Sequence, residues 1–227
     1  MSGKRRVGPV LLASAVGIAI LCGLGTWQLK RLAWKEGLIT ELEARMAAAP
    51  VPLAEALKRL QAGEDVEYLK VSAAGTLDTG HVLFKQISYK GGPGWEALAP
   101  FHSTDGPIVL ADLGGTADRN QSAQAMADLT GILRLHGLGR GIFDSDNDAS
   151  GNMWFWWDVP AMEKAAGMPA DAPRVVVQAL ENASGFDAAE PKVELRNNHL
   201  GYAITWFGLA AALAGVTAAF LLKKPDP

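Results

Sequence analysis

The chain has 227 residues, 49% of them hydrophobic, with 21 basic and 24 acidic side chains and a net charge of −3. Setting aside the five basic residues and one acidic residue of the two tails leaves −7 over the body, which excludes the basic stripe that a nucleic-acid surface requires. The single cysteine, Cys22, excludes a disulfide framework, a Cys-x-x-Cys metal or redox pair and a Cys-x-x-Cys-His haem attachment site.

Residues 1–6 form a short basic tail carrying Lys4, Arg5 and Arg6. Residues 7–29 are uncharged, and as a helix they would measure about 34 Å against roughly 30 Å of hydrocarbon, enough for one span with modest tilt. The run is too long for a signal-peptide core and continues into Thr26-Trp27-Gln28-Leu29-Lys30-Arg31 without a small-residue cleavage site. Bulky Leu21 before Cys22 argues against lipid modification of that cysteine. An uncleaved anchor is therefore expected. Small residues recur four apart at Ala15, Ala19 and Gly23, and again at Ala211, Gly215 and Ala219, so the two apolar segments are expected to pair as a hairpin along those stripes. Trp27, Arg31 and Trp34 share one helical face just past the membrane exit, as an aromatic interface belt would; holding a ligand is the other reading of that face.

From Glu36 to Ala48 the helix is expected to continue, and Pro50 to Leu60 reads as a turn and a second short helix with Pro52 near its first turn. Short apolar runs between Gly, Pro, Asp and Asn clusters then predict strands at 66–74, 82–88, 97–102, 108–113, 129–136, 153–159 and 175–180. Only Pro160 to Gly167 reads as a helix among them, with Asp158 as N-cap and Gly167 as stop. The expected domain, residues 30–196, is thus an extramembrane α+β unit dominated by an antiparallel sheet or a partly closed barrel, and not a parallel nucleotide-binding sheet.

The second apolar segment, residues 197–222, carries no formal charge with His199 neutral and would measure about 39 Å as a helix, about six residues more than a span requires. With Lys223 and Lys224 opening the last tail (223–227), the excess puts Asn197, Asn198 and His199 at the opposite interface. His199, Tyr202, Ala203 and Trp206 follow i, i+3, i+4, i+7 spacing and share a face. Two readings of His199 stay open: an interfacial helix-cap residue, or a ligand. The second is favoured by Arg196 one turn away and an apolar wall below, an arrangement suited to an amphiphilic tetrapyrrole with axial imidazole for iron and cations for propionates. Five basic residues flank the spans on each side, so the charge rule does not choose an orientation; the expectation is cytoplasmic tails and an external middle domain.

Other motifs fail or stay ambiguous. Gly137-x-Gly139-x-Gly141 follows a strand but lacks the third dinucleotide glycine, with Ile142 in its place. Asp144, Asp146 and Asp148 open like a calcium loop, yet Ala149 replaces its glycine and Phe155 its bidentate glutamate. His81, His102 and His136 have no second ligand at metal spacing. In the run Trp154-Phe155-Trp156-Trp157 a strand would place Trp154 and Trp156 on one face and Phe155 and Trp157 on the other. One pair would fill the core, and the other would serve packing against membrane or a partner contact.

Two segments carry a resemblance. Gly25-Thr-Trp27-Gln28-Leu-Lys-Arg31-Leu-Ala-Trp34-Lys35 and Asn197-Asn198-His199-Leu-Gly-Tyr202-Ala-Ile-Thr205-Trp206-Phe207 resemble the paired signatures of the surfeit locus protein 1 family, cytochrome c oxidase assembly factors. Gly75, the Gly91 to Pro100 stretch, and Asn152-x-Trp154-Phe155-Trp156 leading to Asp158-Val-Pro-Ala-Met162 resemble it more loosely. The resemblance implies a non-enzymatic chaperone of a bacterial cytoplasmic (inner) membrane with its large domain on the periplasmic side. It further implies that the protein takes haem a from haem a synthase and assists its insertion into oxidase subunit I. His199 would be the ligand of haem iron, with Tyr202, Trp206, Arg196, Trp27 and Arg31 around the cofactor. A scaffold that stabilises an oxidase intermediate through the aromatic run without holding haem is the alternative. One departure is Asp112-Leu113-Gly114-Gly115, where the family has a turn bearing arginine and tryptophan.

Overall fold

A computed structural model describes residues 7–135, 139–182, 184–188, 190–193, 195 and 197–223, and the chain forms two compact units. The first comprises residues 1–41 and 194–227 and the second residues 42–193. Gly137 and His136 lie outside the described residues.

In the first unit, helix α1 (Val7–Ala47) and helix α4 (His199–Leu222) are both long and apolar enough to cross a membrane. They pair, as expected, but not along the expected stripes. Ala15, Ala19 and Gly23 are exposed, and a Cβ at Gly23 or Gly215 would meet nothing within 4 Å. The covered side of α4 runs His199, Ala203, Trp206, Ala210, Leu213, Thr217 and Phe220, alternating steps of four and three. Ser14, Ile18, Leu21, Gly25, Gln28 and Leu32 repeat the same alternation on α1. This 3.5-residue period matches the spacing of a left-handed helix-pair seam. Close approach comes from glycine beneath a large side chain: a Cβ on Gly25 would lie 2.7–2.9 Å from the Phe207 ring, and one on Gly17 2.9 Å from Leu213 Cδ2. Thr217 Oγ1 bonds Ser14 Oγ across the seam at 2.9 Å and the carbonyl of Leu213 at 2.8 Å. In hydrocarbon such an interhelical bond contributes on average about 0.6 kcal/mol.

The second unit takes the last turn of α1, then β1 (Val51–Pro52), α2 (Leu53–Gln61), β2 (Lys70–Leu77), β3 (Leu83–Tyr89), β4 (Gly92–Ser103), β5 (Ile108–Thr116), β6 (Asp128–Arg134), α3 (Val159–Ala165) and β7 (Val176–Ala179). The strand order is β1-β2-β6-β7-β5-β4-β3, and a further pairing of β2 with β4 closes β2, β6, β7, β5 and β4 into a ring. Among the described strands only β1–β2 and β5–β7 pair in parallel. The expected antiparallel, partly closed barrel is what forms.

Ring closure turns on Gly75. Residues 70–74 of β2 pair with β6, while Gly75 to Leu77 pair with β4, and a Cβ at Gly75 would sit 2.2 Å from the carbonyl oxygen of His102. Only glycine allows the strand to change partners at that distance. All five ring strands send side chains inward, among them Val71, Leu129, Val177, Val109 and Phe101, with Leu53 and Leu57 of α2 joining them. Leu83, Leu98, Leu110 and Val176 face the other way and are covered by Trp154 and by Val159 and Met162 of α3. Strand β7 is therefore buried on both faces. A polar chain runs from strand to strand on the face away from the interior: Glu67 Oε1 accepts from Arg134 Nε, Arg134 Nη1 donates to Gln178 Oε1, and Gln178 Nε2 donates to Asp112 Oδ2.

Several boundaries differ from expectation for local reasons. Residues 66–69 are not strand, because Tyr68 adopts φ 60° and the amide of Leu69 turns back to the carbonyl of Val66. Strand β4 starts at Gly92, directly after a tight turn in which Lys90 (φ 47°) and Gly91 (φ 82°) are both left-handed, the pattern of a type I′ hairpin. Strand β5 runs on to Thr116, so Asp112 to Gly115 lie within the strand and not in a turn; a register shift against Ala97/Leu98 places Leu113 as the extra residue of a bulge. Gly114, at φ 106°, would place a Cβ 2.0 Å from the carbonyl oxygen of Asp187.

The stretch 153–159 is a correction. It forms no strand: Trp154 makes a single bridge with Lys85, and the amides of Phe155 (2.8 Å) and Trp156 (3.4 Å) donate to Asn147 Oδ1. A side-chain acceptor takes the place of a ladder partner. Trp154 is fully buried, with its indole N–H on Asn152 Oδ1, while Phe155, Trp156 and Trp157 are half-buried. Trp157 donates to Glu96 Oε2 at 2.6 Å, and the same carboxylate pairs with Lys85 at 2.8 Å. Helix α3 follows as expected, its Asp158 side chain accepting from the amide of Ala161 and Gly167 ending it at φ 68°.

Candidate functional site

The polar groups of the two apolar helices divide into two kinds. Thr26 and Thr205 turn their hydroxyls back onto the carbonyls of Cys22 (2.8 Å) and Gly201 (3.0 Å), the usual way a hydroxyl is satisfied inside an apolar helix. Ser14 with Thr217, and Gln28 with His199, pair across the seam, although Thr217 also turns back onto the carbonyl of Leu213.

His199 is the first residue of α4, after Asn198 at the N-cap, which makes no side-chain cap hydrogen bond. Its Nδ1 lies 2.7 Å from Gln28 Oε1. Gln28 is 8% exposed and sits one turn beyond Gly25, where the Phe207 ring closes over the α1 backbone. A buried amide left unpaired here would cost about 1–3 kcal/mol, so the bond fixes the facing residues of α1 and α4 against each other.

The expected companions of His199 separate. Trp206 lies with it on the covered seam. Tyr202 does not: it is 54% exposed on the flank of α4, while Ala203 takes the seam position. Trp27 is 55% exposed on α1. Arg31 stacks its guanidinium 4.2 Å above the Trp34 ring, holding a cation at the edge of the apolar segment. Arg196 lies outside the described residues. The residue that sequence reasoning missed is Gln28. Its signal was present as an amide at the seven-residue repeat of Leu21 and Gln28, facing the repeat of His199 and Trp206.

Among the described residues no group of three or more His, Cys, Asp or Glu side chains could hold a bare metal ion. The donor chemistry at α4 suits a metal that brings its own equatorial ligands. An imidazole bonded at one nitrogen, with the other unpartnered among the described residues, could take a metal; Trp206 lies on the same seam and Arg31 offers positive charge. A planar, amphiphilic metallo-ligand therefore fits the residues present.

In the sheet domain, burial raises the Asp112 carboxyl to about 8, reinforced by the neighbouring Glu96 charge and opposed by the bonds from Gln178 and the Gly114 amide. Burial also raises Glu163 to about 7, and its Oε1 has no hydrogen-bond partner among the described residues.

Two membrane-length helices that pair at a histidine–glutamine contact, with a partly closed β-barrel inserted between them in the sequence, define a class of helical-hairpin protein with a central mixed-sheet domain. The model of the SURF1 family matches residues 15–211. Surfeit locus protein 1 of Homo sapiens is 31% identical over 218 residues, covering 84% of this chain and 70% of that protein. The rat protein of the same name is 32% identical over 217 residues, covering 84% and 68%. The SURF1-like protein of Drosophila melanogaster is 29% identical over 249 residues, covering 97% and 80%. The chain belongs to the SURF1 family.

Proposed function

We propose that this protein is a non-enzymatic assembly factor for cytochrome c oxidase that binds haem a through His199 and assists its insertion into subunit I, receiving it from haem a synthase. The observation that carries the reading is the His199–Gln28 contact: Nδ1 is engaged by an acceptor, and among the described residues Nε2 has no hydrogen-bond partner. When bound, haem a would supply an iron centre able to take an imidazole ligand. His199 would hold that iron, Trp206 and the exposed Tyr202 and Trp27 would wall the macrocycle, and Arg31 and Arg196 would meet its propionates. A single imidazole at the entry of a helix serves transfer better than a closed pocket does, because the ligand bond can be exchanged without unfolding the domain. The family and the two apolar helices support residence in a membrane, and the reading places the protein in a bacterial inner membrane with both tails cytoplasmic and the sheet domain periplasmic.

The test is haem content. Purified in detergent after co-expression with haem a synthesis, the protein should carry a haem absorption spectrum and His199→Ala should lose it. Unchanged haem content in that variant would remove His199 from the ligand role. The scaffold alternative draws on the aromatic run, of which Trp154 is spent on the core. It predicts normal oxidase assembly in His199→Ala and a block in folded variants at Phe155 or Trp156.

A further inference from the structure

The geometry points to Gln28 as the positioning residue that selects the coordinating tautomer of His199 and fixes the plane of its ring, an assignment that rests on the haem-binding reading above. An amide oxygen only accepts hydrogen bonds, so at 2.7 Å from Gln28 Oε1 the His199 Nδ1 carries the proton. In the neutral imidazole the lone pair then resides on Nε2, the nitrogen with no hydrogen-bond partner among the described residues. A ring bonded at Nδ1 also cannot turn freely about its own axis, so its plane is set by a side chain from the other helix. Histidines that ligate metals almost always hand their second ring N–H to such an acceptor, which raises ligand basicity as well as fixing orientation.

No other described side chain competes for this role. Tyr202 and Trp27 point to exposed flanks, Arg31 is stacked on Trp34, and Gln28 is the one side-chain hydrogen-bond partner of His199 among the described residues. Because acceptor and ligand lie on opposite helices, ligand strength becomes a property of the hairpin's register. Sliding or parting the helices at Gly25 and Phe207 would release Nδ1 and weaken His199 as a ligand.

The experiment uses the full-length protein in detergent, loaded with haem a by co-expression, and compares wild type with His199→Ala, Gln28→Leu and Gln28→Glu. Leucine keeps the volume and helix propensity but removes the acceptor, and should weaken haem retention about 10–100-fold. Glutamate restores a stronger acceptor, and should regain retention while lowering the midpoint potential, since a more basic imidazole favours the ferric iron. If His199→Ala loses haem while Gln28→Leu keeps wild-type affinity, spectrum and potential, the positioning role is overturned and the ligand role survives. If His199→Ala keeps its haem, the reading beneath fails instead. Should Gln28→Leu not fold, imidazole ¹⁵N shifts of the wild-type haem-free protein decide: a protonated Nδ1 upholds the assignment, and a protonated Nε2 overturns it.

Discussion

Replacing Gly25 by alanine tests the helix seam directly, because the new methyl would meet three atoms of the Phe207 ring at 2.7, 2.8 and 2.9 Å. Carbon atoms prefer about 3.5–4.0 Å, so ring or helix must retreat by nearly 1 Å, and a ring cannot give way as the end of a flexible chain does. Overpacking of this kind costs about 1–3 kcal/mol, while exchanging glycine for alanine inside a helix returns about 1 kcal/mol. The single variant alone is therefore a poor measure, since the two effects partly cancel. A double-mutant cycle removes the propensity gain: Gly25→Ala and Phe207→Leu, alone and together, should show a coupling of about 1–3 kcal/mol, with the leucine relieving the alanine. Loss of helical circular dichroism on titrating sodium dodecyl sulfate into mixed micelles supplies the free energies. Gly23→Ala is the control, since nothing lies within 4 Å of its Cβ, and it should be neutral or slightly stabilising. A coupling within about 0.3 kcal/mol of zero would refute the seam as described.

Two further outcomes concern the sheet domain. Burial holds Asp112 raised to about 8 against an unfolded value of 3.8, so its contribution is fully present below pH ~4 and is lost as pH rises through about 8. Denaturant midpoints should accordingly fall from about pH 4 to about pH 8 and level off above it, and Asp112→Asn should flatten that decline; an unchanged slope in the variant would contradict it. Gly114→Ala combines a left-handed φ of 106° with a Cβ 2.0 Å from the carbonyl oxygen of Asp187, so it should lower the thermal midpoint by several degrees, in line with about 1–3 kcal/mol of backbone strain before the clash is counted. An unshifted melting curve would show that the bulge relaxes.

Local rules carried much of the fold. The long continuation of α1, the Pro52 entry to α2 and the Asp158 cap of α3 depend on neighbours in sequence, and each was readable there. The run 153–159 had strand composition, but its amides were claimed by Asn147, a residue whose role depends on tertiary placement. The extension of β5 through two glycines was hidden for a similar reason, because Gly114 and Gly115 are required by Asp187 and Tyr89, which approach from elsewhere in the chain. The site was half legible. His199 and Trp206 stood out by type and spacing. Tyr202 obeyed the same spacing and faces outward, since a seam of period 3.5 steps from His199 to Ala203 and on to Trp206, passing over Tyr202. Gln28 was passed over because small-residue stripes drew attention to Ala15, Ala19 and Gly23, whereas the helices meet where glycine accepts an aromatic ring.

The four residues of β7 join β6 by antiparallel pairing and β5 by parallel pairing, and they reach this slot only after β1 through β6 and α3 have been synthesised. Until Val176 to Ala179 arrive, β5 and β6 expose unpaired edges and the barrel interior is open along one side. Ribosomal synthesis at about 5–20 residues per second then leaves only a few seconds between arrival of this last strand and emergence of α4, which begins at His199. Nascent chains halted before Val176 should thus be proteolysed readily, while those halted just beyond Ala179 gain protection, making a late and non-local strand insertion the slow step in maturation of this domain.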